Sequence, residues 1–110
     1  MNFSEYLKHN IVYLDGGMGT LLQAQGLAAG EHPEKWNIYH PEVIKEIHKA
    51  YYDAGSNVVS TNTFGANSLK FSDPELAEII KAAIDDIIID VAVFLKSSFI
   101  YASSFYHIIA

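Results

Sequence analysis

The sequence contains neither cysteine nor arginine. Without cysteine there are no disulfides, thiolate metal ligands or cysteine nucleophiles, so any chemistry must use oxygen, nitrogen or backbone groups. Without arginine, the planar forks that read phosphates and guanine edges are missing, and all seven basic residues are lysines. With a net charge of −6, nucleic acid is excluded as the expected partner. Long uncharged apolar stretches are also lacking. Residues 1–10 mix Glu5, Lys8 and His9 among apolar positions, unlike a signal peptide, so a cytoplasmic location is expected. Residues 87–110 are apolar but interrupted by Asp90, Lys96 and His107. Each charge at mid-bilayer costs roughly 2.5 to 3.5 kcal/mol, which argues against a membrane span.

What the chain does have is apolar content, 50% over 110 residues, which is enough for one packed domain. Ile11, Val12, Tyr13 and Leu14 form a short apolar run that stops at Asp15-Gly16-Gly17, the pattern of a buried strand entering a tight turn. Residues 19–25 predict a short helix closed by Gly26, and residues 27–39 read as an irregular connection. Pro41 suits a first helical turn. Val43, Ile44, Ile47, Tyr51 and Ala54 then recur at helical spacing until Gly55. Residues 57–63 predict a second strand with a polar tip, Ser60-Thr61-Asn62-Thr63. Asp73 as cap and Pro74 in the first turn open a further helix with Leu76, Ile79, Ile80, Ala83 and Ile84 on one face. Two strands separated by helices predict an α/β fold built on a parallel βαβ unit.

Two clusters could carry chemistry. Asp15-Gly16-Gly17-Met18-Gly19-Thr20 puts an acid and a glycine-rich turn directly after the first expected strand, where successive amides can converge on an anion. A turn that merely reverses the chain would look the same. No Gly-Lys-Ser/Thr follows, so it is not a phosphate-binding loop of that type, and the third glycine of a dinucleotide fingerprint is missing. An aspartyl-nucleophile phosphatase would need a second acid where Tyr13 stands. The second cluster is Ser60-Thr61-Asn62-Thr63-Phe64-Gly65-Ala66-Asn67. Strand propensity accounts for its threonines and turn capping for its asparagines, but in parallel α/β folds ligands bind where strands end, so both clusters would share one rim. His40 and His48 are too far apart for a paired helical metal motif, and His9, His32 and His107 have no partner spacing. All five histidines read as surface or capping residues.

Leu14-Asp15-Gly16-Gly17-Met18-Gly19-Thr20, Trp36-Asn37, Pro41-Glu42-Val43-Ile44, Ile47-His48, Tyr51, Ala54-Gly55 and Thr61-Asn62-Thr63-Phe64-Gly65-Ala66-Asn67, in that order, resemble the start of the homocysteine-binding domain of homocysteine S-methyltransferases and of cobalamin-dependent methionine synthase. The resemblance covers residues 11–84. It implies the first two to three βα units, with parallel strands, of an incomplete TIM (β/α)8 barrel, a fold of ~250 residues. It also implies that Asp15, with the amides around Gly16, Gly17 and Met18, holds the amino-acid end of homocysteine, and that Thr61 and Asn62 line the same pocket. Ser60 stands where some members carry Glu.

In complete members a zinc ion, held by cysteines from later strands, activates the homocysteine thiol for methyl transfer. This chain has no such cysteines, so no catalytic or metal-binding residue is assigned and the chain alone is expected to be inactive. The family pattern ends near residue 84. Residues 1–84 are therefore expected to be the homocysteine-binding fragment, and residues 85–110 a divergent apolar tail, frameshifted or truncated. Users of methyltetrahydrofolate, betaine and methylmethionine share this pattern, so the resemblance fixes the methyl acceptor and not the donor. Two other readings stand beside it. One is a small amino-acid-binding or assembly module using the same rim, with self-association through open sheet edges. The other is an unrelated small α/β enzyme, for which no acid–base pair or nucleophile stands out.

Overall fold

The computed structural model describes residues 2–87. Five α-helices appear in order: α1 (Phe3–Leu7), α2 (Gly19–Ala24), α3 (Trp36–Tyr39), α4 (Pro41–Asp53) and α5 (Asp73–Ile87). A single 3-10 turn, Pro33–Lys35, leads directly into α3. Among the described residues no helix is long and apolar enough to cross a membrane.

The two main helices form where the apolar spacing predicts them. α4 starts with Pro41 and turns Ile44, Ile47 and His48 inward, an i, i+3, i+4 stripe. Gly55, at φ 113°, follows the helix in the left-handed region that favours glycine. Ile44 and Ile47 pack with Leu22 of α2 and Trp36 of α3, and Met18, Leu27, Val43 and Tyr51 close around them. Burying each such large side chain contributes about 1.5 to 3 kcal/mol, so this cluster is the main support for whatever α4 carries. α5 buries Ile79, Ala83, Asp86 and Ile87 along one face and packs on both α3 and α4. It runs past residue 84 to Ile87. The remainder of the expected tail, residues 88–110, lies outside the described residues.

The expected α/β fold is not what the structure shows. Among the described residues there is no strand and no sheet, so the reading as parallel βα units of an incomplete TIM barrel is corrected to a helical architecture with one isolated parallel bridge, Leu14 to Val58. Backbone bonds there are few: Asp15 N–H donates to the Val58 carbonyl at 3.0 Å, and the Tyr13 carbonyl accepts from Asn57 and Val58 N–H at 2.7 and 3.3 Å. Side chains take the places a longer ladder would use. Tyr13 N–H donates to Asn57 Oδ1 at 2.9 Å, Ser56 Oγ donates to the Leu14 carbonyl at 3.2 Å, and Ser60 N–H donates to Asp15 Oδ2 at 2.9 Å. Such side-chain bonds compete with regular pairing. A parallel sheet also needs both faces covered, whereas Ile11, Tyr13 and Leu14 remain 74%, 60% and 68% exposed. β-Branched composition without those covers does not make a strand.

The connection read as irregular, residues 27–39, contains the 3-10 turn and α3, and it buries Glu34, Trp36 and Asn37. Its glycine and proline content hid two short helical turns.

At the seam between α4 and α5, Asp86 is buried with Oδ2 lacking a protein partner. Burial pushes its carboxyl up to about 7, Lys45 pulls it back down, and Asp85 and Glu42 add to the rise. Because the folded value lies above the ordinary 3.8, this group favours folding fully only below pH 3.8 and loses that contribution as pH rises through about 7. Asp86→Asn should therefore be more stable than the wild type at pH 8, with the difference vanishing towards pH 4. Thermal melts across that range check it, and a constant difference at all pH values would refute the titration.

Candidate functional site

The bridge between residues 14 and 58 is parallel in sense, so the chain leaves it on the same side in both segments. That brings the glycine-rich turn and the 60–64 segment together around a cavity of about 390 Å³. Of the six residues expected to bind substrate, Asp15, Gly16, Met18, Thr61 and Asn62 line it, together with Ser60, Thr63 and Phe64. Gly17 does not. Its carbonyl instead accepts from Tyr51 Oη at 2.6 Å, which fastens the turn to α4.

That fastening brings the tyrosine close to position 16. A Cβ there would meet Tyr51 Oη at 2.9 Å and the ring at 3.3 Å, so a side chain would have to push the tyrosine out of its present place. On the opposite wall, Asn62 is held by a reciprocal amide pair. Asn37 Nδ2 donates to the Asn62 carbonyl at 2.8 Å, and Asn62 Nδ2 donates to Asn37 Oδ1 at 3.0 Å and to the Pro33 carbonyl at 2.9 Å. Thr61 and Thr63 share a hydroxyl–hydroxyl bond of 2.8 Å. Beyond Phe64, which is fully exposed at the rim, Gly65 N–H donates to Glu34 Oε1 at 2.6 Å.

The electrostatics are set by Asp15 and by what lies beneath it. His48 is completely buried, contrary to its expected place at the surface, because it falls on the inward stripe of α4 beside Ile44 and Ile47. Neither ring nitrogen has a protein partner. Burial holds the imidazole down at about 4, overcoming the opposing pull of Asp15. Tyr52 is pushed above its ordinary value by burial and, secondarily, by the Asp15 charge. An imidazole with that value is neutral at pH 7 and adds no positive charge near Asp15.

Glu34, Asn37, His48 and Tyr51 thus belong to the frame of this cavity, though the two clusters alone do not reveal them. Asn37 and Tyr51 fall within the stretches that carry the family resemblance. Glu34 is marked in sequence only by its position one residue after Pro33. Removing the Asn37 amide would strand polar atoms of Asn62 in a buried place, so Asn37→Ala should cost about 1 to 3 kcal/mol and Tyr51→Phe about 1 kcal/mol. Urea denaturation checks both, and an Asn37→Ala midpoint equal to the wild type would show that the pair does not hold the wall.

A profile of the family described as homocysteine S-methyltransferase matches residues 12–100. Among curated proteins the chain is similar to the methionine synthase of Mycobacterium tuberculosis (strain ATCC 25618 / H37Rv), at 35% identity over 83 residues, 70% of this chain and 7% of that protein. It is similar to the methionine synthase of Mycobacterium leprae (strain TN), with the same identity and coverage. The chain therefore spans 7% of the length of these relatives.

Proposed function

The chain belongs to the homocysteine S-methyltransferase family, and on that footing we propose that its rim cavity holds the amino-acid end of homocysteine, the acceptor in a methyl transfer. The observation that carries this reading is the convergence of Asp15, Gly16, Met18, Thr61 and Asn62 on one cavity of about 390 Å³. An amino acid presents an ammonium and a carboxylate side by side. The Asp15 carboxylate, with neutral His48 behind it, suits the ammonium, and the amides of the glycine-rich turn suit the carboxylate. Thr61 and Asn62 supply the polar wall that orients the ligand.

Among the described residues nothing fits the family's zinc ion. There is no cysteine, and among the described residues no three potential ligands of the His, Asp or Glu type come together. No catalytic step is assigned to these 110 residues, whose part is to bind and orient the acceptor.

Calorimetry of the purified chain with L-homocysteine tests the binding reading. Saturable binding is expected, and Asp15→Ala should weaken it by about 1 to 3 kcal/mol, the scale of a lost charge-assisted hydrogen bond. Equal affinity of the two proteins would remove Asp15 from the site. The same preparation, supplied with zinc and a methyl donor, should form no methionine, and turnover above a metal-free control would overturn the division of labour proposed above.

A further inference from the structure

Glu34 sits on the short 3-10 turn, yet the residue is only 5% exposed. Oε1 accepts from Gly65 N–H at 2.6 Å, within the short range of charge-assisted bonds. Oε2 is closed off from solvent and has no protein partner. Burying a carboxylate is costly, and one hydrogen bond offsets only part of that cost. A glutamate that merely decorated a turn would point into water.

The packing is as close as the hydrogen bond indicates. A Cβ built on Gly65 would collide with Glu34 Oε1 and lie 3.0 Å from Lys70 Nζ, so the Gly65 backbone rests directly on the carboxylate. Three residues earlier, Asn62 is gripped by the Pro33 carbonyl and by Asn37. Residues 33–37 therefore hold the loop at 62 and at 65. Between those grips stand Thr63 and Phe64, both at the cavity.

We infer that Glu34 is a positioning residue for the ligand cavity: through Gly65 N–H it fixes Thr63 and Phe64 at the rim, and ligand affinity depends on it although it does not touch the ligand. The dependence of affinity rests on the amino-acid reading of the cavity. The fixing of the loop does not. The bond to Gly65 N–H needs an acceptor oxygen at this position, so glutamine should serve and alanine should not.

The test compares wild type, Glu34→Ala and Glu34→Gln as full chains, by amide hydrogen exchange and by calorimetry with L-homocysteine. Glu34→Ala should speed exchange at Gly65 about tenfold or more while leaving Ile47 and His48 in α4 unchanged, and should weaken L-homocysteine about tenfold. Glu34→Gln should restore both to within about twofold of wild type. Unchanged exchange at Gly65 in Glu34→Ala, or a glutamine variant as defective as alanine, would overturn the inference. So would loss of protection throughout α4 in both variants, which would make Glu34 a general packing residue. If the wild type binds no L-homocysteine, the proposed function fails, and exchange at Gly65 alone then decides whether Glu34 holds the rim.

Discussion

The cavity depends on the bond from Asp15 N–H to the Val58 carbonyl, at 3.0 Å, because it joins two segments that otherwise share no regular structure. Its parallel sense places the residues following each segment side by side, and the next bond, Ser60 N–H to Asp15 Oδ2, closes a contact between positions 45 apart in sequence. Closing a loop of that length costs entropy that grows only slowly with length, so a few bonds suffice if the flanking chain is already packed. α4 provides that packing. It is anchored through Ile44 and Ile47 in the core, and through Tyr51 it holds the glycine-rich turn.

The same helix sets the charge of the site. The charge of a nearby aspartate ordinarily favours the protonated form of a histidine. Here desolvation outweighs the attraction of Asp15 and the imidazole stays neutral down to about pH 4. As His48 has a folded value below its ordinary 6.5, its contribution to folding is present above pH 6.5 and lost as pH falls through about 4. Asp86 acts in the opposite direction, since its raised carboxyl weakens folding as pH rises towards about 7. Between those limits the two trends offset each other, so the overall pH profile understates both titrations.

Helices α4 and α5 were legible because apolar spacing and proline placement are local signals that the tertiary structure did not override. Five of the six expected site residues share one cavity because the acid, glycine and asparagine chemistry was also local. The strands were misread for a physical reason. Asn57, Ser56 and Asp15 satisfy backbone groups with side chains, and among the described residues no second layer covers Ile11, Tyr13 and Leu14. Hydrophobic pattern reports what a segment could bury and carries no information on whether a partner surface is present. The Glu34 contact was hidden for a related reason, since a carboxylate 31 positions from Gly65 shows no periodicity at all.

Buried polar atoms without partners normally number a few per hundred residues, and each costs about 1 to 3 kcal/mol. Among the described residues they fall on Glu34, His48 and Asp86. Neither Glu34 nor His48 lines the cavity, but Glu34 accepts from Gly65 N–H just beyond Phe64, and His48 lies on α4, the helix that holds the glycine-rich turn through Tyr51. Apolar residues would fill either place at lower cost, but leucine at 34 could not accept from Gly65 N–H. At 48, burial leaves a polar ring uncharged within the electrostatic reach of Asp15. Among the described residues polar satisfaction is thus incomplete at Glu34, which holds the loop after Phe64, and at His48, on the helix that holds the glycine-rich turn, and incomplete satisfaction at such supporting positions costs local stability.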